Sequence, residues 1–242
     1  MIRFISDLHL SENEPLITER FLQFMHDKKA STTALYILGD FFETWVGDDN
    51  QSDLTHTIQA ALRAYHDNGI NVCFMVGNRD FLIRDTFCAH AGMTQLNDPH
   101  LIHLNGVPTL LTHGDLLCTE DTAYQRFRKV VRLPFLQNFF LALPLFLRKQ
   151  FAKTLRNISH KKGTSPQAAY HSRYDATESG IQTYLGQWQA AQLIHGHTHR
   201  LAIHEHKLDN NQIAKRYVLG DWKPNQGNAL CFDGENLFFE YF

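Results

Sequence analysis

Cysteine is scarce in this chain of 242 residues, and its four copies never form a Cys-x-x-Cys pair. Scattered cysteines lack the spacing of a thiolate metal site, and they suit reduced thiols in a cytosol better than a disulfide framework. The four are Cys73, Cys88, Cys118 and Cys231. We therefore expect chemistry built on oxygen and imidazole groups.

Long apolar runs and a strong excess of one charge are also missing. No apolar stretch approaches the ~20 residues that a membrane-spanning helix needs. The net charge of −2 argues against a nucleic-acid-binding protein at the level of the whole chain. The first predicted strand begins at Ile2, so we expect no signal peptide. With 43% hydrophobic residues, the chain can bury a full core as one domain over residues 1–242.

Five short polar motifs are present, and each follows an apolar run. The runs are rich in branched and aromatic residues and predict buried strands near 2–6, 34–38, 72–76, 109–112 and 192–195. The motifs are Asp7-Leu8-His9, Gly39-Asp40, Gly77-Asn78-Arg79-Asp80, His113-Gly114-Asp115 and His195-Gly196-His197-Thr198-His199. Because each motif stands at a strand end, we expect their side chains to meet on one edge of a sheet.

Helical patterns separate the first strands, which predicts an α/β fold with helices covering the sheets. The two clearest patterns span 16–29 and 54–68. After the last motif the pattern changes to short strand-like runs near 201–206, 216–219, 229–232 and 237–242. We expect these four runs to form an antiparallel meander that finishes the second sheet.

The motif residues supply ligands of the kind that suit manganese, iron or zinc, and manganese is our choice. The candidates are Asp7, His9, Asp40, Asn78, His113, His197 and His199. Two neighbouring divalent ions need a bridging carboxylate, and Asp40 is the natural bridge because it lies alone on a strand-end turn. The coordination of one ion would be completed by Asp7, His9 and His199. Asn78, His113 and His197 would complete that of the other.

Each of these residues also has an ordinary structural interpretation. One histidine among fifteen is more often a surface or core residue, and an Asp after a strand is usually a turn residue. The joint occurrence of five motifs in order, at strand ends, favours a site. Asp80 and Asp115 can instead orient a ligand histidine or cap a helix. We interpret Asp48-Asp49 as a solvated turn.

The segment from about 120 to 175 breaks the alternation of strands and helices. Between Glu120 and Lys162 there are ten Lys or Arg and two acids, so this stretch carries +8 and the remainder of the chain −10. Residues 139–147 within it are uninterruptedly apolar, and Pro144 should break or kink any helix there. Basic and apolar residues together are typical of an interfacial segment. An ordinary helical hairpin with a solvated basic face is the alternative.

The motif set resembles the calcineurin-like metallophosphoesterases across nearly the whole chain outside this segment. The resemblance implies a four-layer αββα sandwich with a dinuclear metal site, and residues 120–175 as an inserted helical lid. Arg79 stands where protein phosphatases of this superfamily carry a histidine that serves as general acid. Arginine cannot give up a proton near neutral pH. Such a site favours a leaving group that needs no protonation, such as the phosphate ester released from a pyrophosphate.

Longer strings resemble the branch of this family that acts on UDP-2,3-diacylglucosamine in lipid A biosynthesis. They are 38–49, 77–82, 113–121, 142–149 and 195–200. The resemblance implies hydrolysis to UMP and 2,3-diacylglucosamine 1-phosphate (lipid X), with two Mn²⁺ and with water attacking the phosphorus next to uridine. It also implies a cytoplasmic protein attached peripherally to the anionic inner-membrane surface, with the lid holding acyl chains. No nucleic acid and no obligate protein partner are expected.

The resemblance carries the family's ligands onto the seven candidates and its catalytic roles onto Asp40 and Arg79. Its substrate contacts fall on Asn78, Arg79, Asp121, Ser159 and His197, and by position alone on Lys162 and Thr164. A soluble nucleotide or dinucleoside-polyphosphate hydrolase on the same fold is the alternative, although it would need no apolar lid. A metal-free scaffold is the other alternative, but loss of catalysis usually costs several ligands and none is missing.

Overall fold

The computed structural model describes residues 1–163, 175–208 and 212–242, and for residues 156–163 only the backbone. The strands are β1 Ile2–Ile5, β2 Ala34–Leu38, β3 Asn71–Met75, β4 Met93–Leu96, β5 His100–Leu104, β6 Val107–Leu111, β7 Gln192–His195, β8 Ala202–Lys207, β9 Ile213–Val218, β10 Asn228–Phe232 and β11 Leu237–Tyr241. The α-helices are α1 Pro15–Lys28, α2 Asp53–His66, α3 Asp85–Ala91, α4 Thr122–Val131, α5 Pro134–Leu141, α6 Leu145–Gly163 and α7 Glu178–Trp188.

The strands form two sheets. The first has six strands in the order β11-β10-β1-β2-β3-β4, and β1 to β4 run parallel. The second has five strands in the order β5-β6-β7-β9-β8, and β6, β7 and β9 run parallel. The five predicted strands are β1, β2, β3, β6 and β7. Because strands of each set run the same way, their carboxyl ends lie at the same edge of each sheet.

Apolar side chains divide the molecule into four layers. Between the sheets, Phe4 and Met75 of the first pack with Leu111 and Ile194 of the second. The outer face of the first sheet is covered by α1, α2 and α3, and that of the second by α7. Full burial of one such side chain contributes about 1.5–3 kcal/mol. The predicted αββα sandwich is therefore the observed architecture.

The C-terminal strands correct the sequence interpretation. The predicted meander that finishes the second sheet is wrong, because only β8 and β9 belong to that sheet. β10 instead pairs antiparallel with β1, with Ile2 opposite Phe232, and β11 pairs with β10. Every residue of β10 is buried, so it can lie inside either sheet. A run of apolar residues specifies burial of a strand, not its partner.

The strands β4 and β5 were also not predicted. Two of the four residues in β4, Thr94 and Gln95, are exposed. Two of the five residues in β5 are histidines, His100 and His103. Both strands lie at sheet edges, where one side is in contact with solvent. Edge strands need no continuous apolar run, so their sequence pattern is weak.

The helices α4, α5 and α6, here called the helical segment, lie outside the four layers, although Phe140 and Leu141 of α5 pack against the core on the outer side of the first sheet. α5 ends at Leu141 and α6 begins at Leu145, so the predicted interruption at Pro144 is confirmed. Large apolar side chains of this segment point outward: Phe135, Phe139 and Phe146 are 67%, 69% and 67% exposed. Within the described residues, no helix combines the length and apolar character needed to cross a membrane.

Candidate metal centre

The five motifs meet where the carboxyl ends of the parallel strands in one sheet adjoin those in the other. This region is here called the rim. Backbone hydrogen bonds join them directly. The Asp7 amide donates to Gly39 O at 3.1 Å, and the Gly196 amide donates to His113 O at 2.9 Å. The packing is tight enough that a Cβ at Gly77 would collide with the Asp40 carboxylate. Glycine is therefore required where the second and third motifs cross.

The rim contains an unusual concentration of left-handed backbone. Five of the seven ligand candidates have positive φ angles between 49° and 64°: Asp7, His9, Asp40, His197 and His199. Among described residues only Asn105 and Gln189 are other non-glycine cases. This conformation costs an ordinary residue about 1–2 kcal/mol. Such strain concentrates at functional sites, where it turns side chains sharply toward a shared centre.

One group of donors consists of Asp7, His9 and His199, whose ligand atoms all lie within 4.8 Å of one another. His199 Nε2 lies 3.3 Å from Asp7 Oδ1 and 3.4 Å from His9 Nε2. Asp7 is fully buried, and its Oδ2 accepts hydrogen bonds from Ser6 Oγ and the His197 amide. Its Oδ1 has no partner of hydrogen-bond geometry among the described residues. A buried carboxylate oxygen facing two imidazoles fits a divalent cation.

A second group consists of Asp40, His113 and His197, again within 4.8 Å. Asn78 joins it, because its Oδ1 lies 2.9 Å from both His113 Nε2 and His197 Nδ1. His113 Nδ1 donates to Leu38 O at 2.9 Å, which aims Nε2 at the centre. All seven predicted ligands are thus brought together. Asp40 lies with the second group, and its bridging role stays a prediction.

The charges of the rim balance one another. Burial alone would raise the pKa of Asp7, but the imidazole of His199, 3.3 Å from its Oδ1, holds this pKa well below its usual range. Burial would lower the pKa of His113, yet the carboxylates of Asp40, Asp7 and Asp115 raise it to about 9. Burial, followed by the charge of His113, lowers the pKa of His197 to about 4. A cation bound here would replace the proton that His113 holds.

The structure separates Asp80 from Asp115, for which the same supporting roles were considered. Among the described residues, Asp80 has no hydrogen bond to a ligand histidine and caps no helix. Its carboxylate accepts from the Phe41 and Gly77 amides, both at 2.7 Å, and so ties the second motif to the third. Burial and the charge of Asp40 raise its pKa to about 6.

Asp115 supports a ligand histidine only indirectly. Its Oδ2 accepts from Tyr124 Oη at 2.5 Å and from Arg128 Nε at 2.7 Å. The Tyr124 ring in turn stacks on His197, with centroids 6.3 Å apart. Asp115 therefore fastens α4 of the helical segment to the rim.

Two acidic residues of the rim were not identified from the sequence. Glu43 Oε2 lies 2.9 Å from His9 Nδ1, and its Oε1 lies 3.7 Å from Arg79 Nη1. Asp221 Oδ2 lies 3.9 Å from His199 Nδ1. Glu43 follows Asp40 by three positions, which is the one signal that could have indicated it. Asp221 belongs to no motif, and only the chain fold brings it near.

Asp48 and Asp49 lie in a turn as predicted, and Asp49 is exposed, but both side chains also have a structural role that was not predicted. The Asp48 carboxylate accepts from Trp45 Nε1 and from the Phe87 amide in the first turn of α3. The Asp49 carboxylate pairs with the buried guanidinium of Arg148, which also donates to Val46 O. This turn therefore holds α6 against the loop that follows β2.

The remaining predicted residues differ in how much is described. The Arg79 amide donates to Asp40 Oδ1 at 2.8 Å, and its side chain is about a third exposed. Asp121 caps α4, because its side chain accepts from the Tyr124 amide at 3.0 Å. Ser159 and Lys162 lie in α6, but their side chains are outside the described residues. Thr164 is entirely outside them.

Comparison with known proteins identifies relatives over nearly the full length. A family model described as calcineurin-like phosphoesterase matches residues 1–201. A protein of Ectopseudomonas mendocina named UDP-2,3-diacylglucosamine hydrolase is 47% identical over 98% of this chain and 96% of its own. Proteins with the same name from Marinobacter nauticus and Escherichia coli O6:H1 are 47% and 45% identical, over 92% and 90% of this chain and 89% and 90% of theirs.

Proposed function

The chain belongs to the calcineurin-like phosphoesterase family, and from this membership we propose that it hydrolyses the pyrophosphate bond of UDP-2,3-diacylglucosamine. The products are UMP and 2,3-diacylglucosamine 1-phosphate, lipid X. One observation carries the proposal: the Arg79 side chain lies at the rim beside two groups of metal-type donors. The names of the relatives supply the substrate.

The rim would hold two divalent cations, and manganese fits its mixture of carboxylate, amide and imidazole donors. Asp7, His9 and His199 would hold one ion, and Asn78, His113 and His197 would hold the other. Asp40 would serve as the shared carboxylate. When bound, such a pair activates water and neutralises charge on the phosphates.

Arg79 binds a phosphate oxygen and stabilises the negative charge that grows there during the reaction. Its backbone is fixed by Asp40, while its guanidinium lies near Glu43 and is partly open to a ligand. Arginine cannot protonate a leaving group, but a sugar phosphate needs no proton because the second pKa of a phosphate ester is about 6. UMP would satisfy this condition as well as the sugar phosphate does. On the family resemblance, we propose that water attacks the phosphorus next to uridine and that the acylated sugar phosphate leaves.

Further substrate contacts come from the rim and from the helical segment, which acts as a lid. Asn78 and His197 contact the phosphates. Asp121, at the start of α4, contacts the sugar-nucleotide headgroup together with Ser159, Lys162 and Thr164. Hydrogen bonds from the helical segment to motif loops support this placement, since Arg132 Nη2 donates to Gly77 O at 2.8 Å, one residue before Asn78.

The exposed phenylalanines of the helical segment hold the acyl chains and touch the membrane. Each methylene buried against them contributes about 0.8 kcal/mol. Lysines nearby, including Lys149 and Lys153, are attracted to anionic lipids by about 1 kcal/mol each when close to the surface. The protein therefore acts at the cytoplasmic face of the inner membrane, attached peripherally.

The test is UMP release by the pure protein with Mn²⁺, given UDP-2,3-diacylglucosamine or UDP-glucose. We expect rapid release from the acylated substrate and little from UDP-glucose, and none after the metal is removed by a chelator. Equal release from both would favour a nucleotide hydrolase without acyl recognition. No release from the acylated substrate would refute the proposal.

A further inference from the structure

A buried arginine lies behind the fifth motif, outside both donor groups. Arg216 of β9 is 7% exposed. Its Nη1 lies 3.2 Å from His195 Nε2, and its Nε donates to His206 Nε2 at 3.0 Å. A buried cation is costly, and it is normally paired directly with a carboxylate. The contact of Arg216 with two imidazoles therefore needs an explanation.

The contacts of Arg216 determine where both rings carry their protons. A guanidinium offers only donors, so each Nε2 that it contacts must accept. The proton of His195 is then on Nδ1, which donates to Gly196 O at 2.8 Å. The proton of His206 is likewise on Nδ1, which donates to Glu178 Oε2 at 2.8 Å. One guanidinium thus fixes the tautomer of two histidines.

The ring of His195 is joined to the peptide that precedes His197. Its Nδ1 holds the carbonyl of Gly196, while the amide of Gly196 donates to His113 O at 2.9 Å. A Cβ at Gly196 would collide with Ser6 Oγ and Asp7 Oδ2, so this peptide presses against the first motif. The next amide, that of His197, donates to Asp7 Oδ2 at 2.8 Å. Any rotation of the Gly196 peptide would move both His197 and its partner Asp7.

We propose that Arg216 is a positioning residue of the metal centre. By holding His195 as the Nδ1–H tautomer, it fixes the Gly196 peptide and thereby the loop that carries His197 and His199. Partners behind metal ligands typically change metal affinity about 10- to 100-fold when they are removed. The inference rests on the proposed metal centre and is independent of the proposed substrate.

A matched control is available in Arg3 of β1. Arg3 is 1% exposed and donates to Thr32 Oγ1 at 2.6 Å, with Glu240 3.6 Å away. It is a second buried guanidinium, and it contacts none of the seven donors. We expect Arg216→Met and Arg3→Met both to lower the thermal unfolding temperature. Only Arg216→Met should weaken Mn²⁺ binding, by about 10- to 100-fold in isothermal titration.

Arg216→Lys keeps the charge but cannot reach both imidazoles, so its Mn²⁺ affinity should fall between those of the parent and Arg216→Met. Arg216→Lys also provides the test of Mn²⁺ affinity if Arg216→Met does not fold. Parent-like Mn²⁺ affinity in Arg216→Met, or in Arg216→Lys where Arg216→Met does not fold, would overturn the proposal. Equal weakening in Arg3→Met would do the same, because the loss would then follow from general destabilisation.

The tautomer itself is the second readout. Nitrogen NMR of histidine-labelled protein loaded with Mg²⁺, a diamagnetic ion, distinguishes Nδ1–H from Nε2–H, and His195→Gln assigns the signal. We expect Nδ1–H for His195 in the parent and a mixture in Arg216→Lys and Arg216→Met. Nε2–H in the parent would refute the inference. Neither readout uses the acylated substrate, so a protein that binds Mn²⁺ as described but releases no UMP would refute only the proposed function.

Discussion

The rim and the helical segment invert the usual distribution of side chains in opposite ways. At the rim, charged and polar groups are buried, and Asp7, Asp40 and His113 are almost completely shielded from solvent. In the helical segment, large apolar groups are exposed, led by Phe135, Phe139 and Phe146. Burying a polar group without a partner is costly, and exposing an apolar patch invites association. Each inversion is what the proposed function requires of that surface: cations are proposed to bind at the rim, and lipid at the helical segment.

The two regions are also held together differently. The rim is joined by backbone hydrogen bonds between motif loops, whereas the helical segment is fastened to it by side chains. Arg128 lies between Asp98 and Asp115, Arg132 donates to Gly77 O, and Arg148 pairs with Asp49. All three contacts end on loops at or beside the motifs. These three arginines attach the segment to the reacting region, and Arg84 at the start of α3 adds a further attachment by donating to Asn138 and Gln137 of α5.

The largest effect is expected from Asp40→Ala. It removes the carboxylate between the two proposed ions, so UMP release should fall by several orders of magnitude while the fold survives. Activity and circular dichroism of the Mn²⁺-loaded variant provide the measurement. Asp67→Ala is the control, because among the described residues the Asp67 side chain is paired only with Arg63, at an exposed position. Near-parent activity in Asp40→Ala would sink the dinuclear interpretation of the rim.

Arg79→Lys should reduce kcat/KM by about 100-fold, because lysine lacks the planar fork that grips two oxygens. Arg63→Lys on the surface of α2 is the matched control and should leave the rate unchanged. A third variant, Arg79→His, tests the leaving-group argument. If Arg79→His were as active as the parent, proton donation at this position would be useful and the argument would be wrong.

Mn²⁺ affinity should depend on pH through His113. In the metal-free protein its pKa is raised to about 9, so the ring is protonated at neutral pH and a cation must displace that proton. Affinity should therefore rise with pH by up to about tenfold per unit until about pH 9, and fall on acidification. Titration calorimetry in buffers of different ionisation enthalpy should detect proton release on binding. No release at neutral pH would contradict the charge balance described for the rim.

Replacing Phe135, Phe139 and Phe146 with Ser should raise KM for the diacylated substrate severalfold and leave the weak turnover of UDP-glucose unchanged. Phe140 is left intact because it packs against the buried core. The control replaces Ile203 and Ile213, which are exposed on β8 and β9, with Ser. Equal losses for the two substrates would mean that the segment is only structural.

The smallest effect concerns the lysines of α6. Lys149→Gln and Lys153→Gln should each weaken binding to vesicles of anionic lipid by about fivefold, the equivalent of about 1 kcal/mol. Sedimentation with vesicles provides the measurement, and raising the salt concentration should reduce the difference because exposed charges are screened. Lys207→Gln and Lys215→Gln on the second sheet are the controls. If none of the four substitutions changed the affinity for vesicles, the electrostatic part of the membrane proposal would be wrong.

The sequence predicts the rim better than it predicts the sheets around it. Motifs at strand ends are local patterns, so the seven donors could be named before the fold was known. The placement of β10 could not, because a fully buried strand carries no mark of its partner. Glu43 and Asp221 were missed for a related reason: their contacts with His9 and His199 exist only after distant loops come together.

Asp48 and Asp49 also show that contacts between distant parts of the chain cannot be predicted from local sequence patterns. Both residues lie in a turn and Asp49 is exposed as expected, but Asp48 also organises the start of α3, and Asp49 also pairs with Arg148, which lies far along the chain. Long-range ion pairs leave no spacing signature in the sequence. The apolar run 139–147 could be recognised from the sequence because apolar residues beside cations are a local pattern, whereas the exposure of Phe135, which lies outside this run, was not predicted.

The central claim is that the rim directs water onto the phosphorus next to uridine in an acylated UDP-sugar. Hydrolysis of UDP-2,3-diacylglucosamine by the Mn²⁺-loaded protein in water enriched in heavy oxygen, followed by mass spectrometry of both products, tests it most directly. We expect the label in UMP and none in lipid X, with no labelled product from Asp40→Ala. Label found only in lipid X, or labelled UMP formed equally well by Asp40→Ala, would contradict the claim.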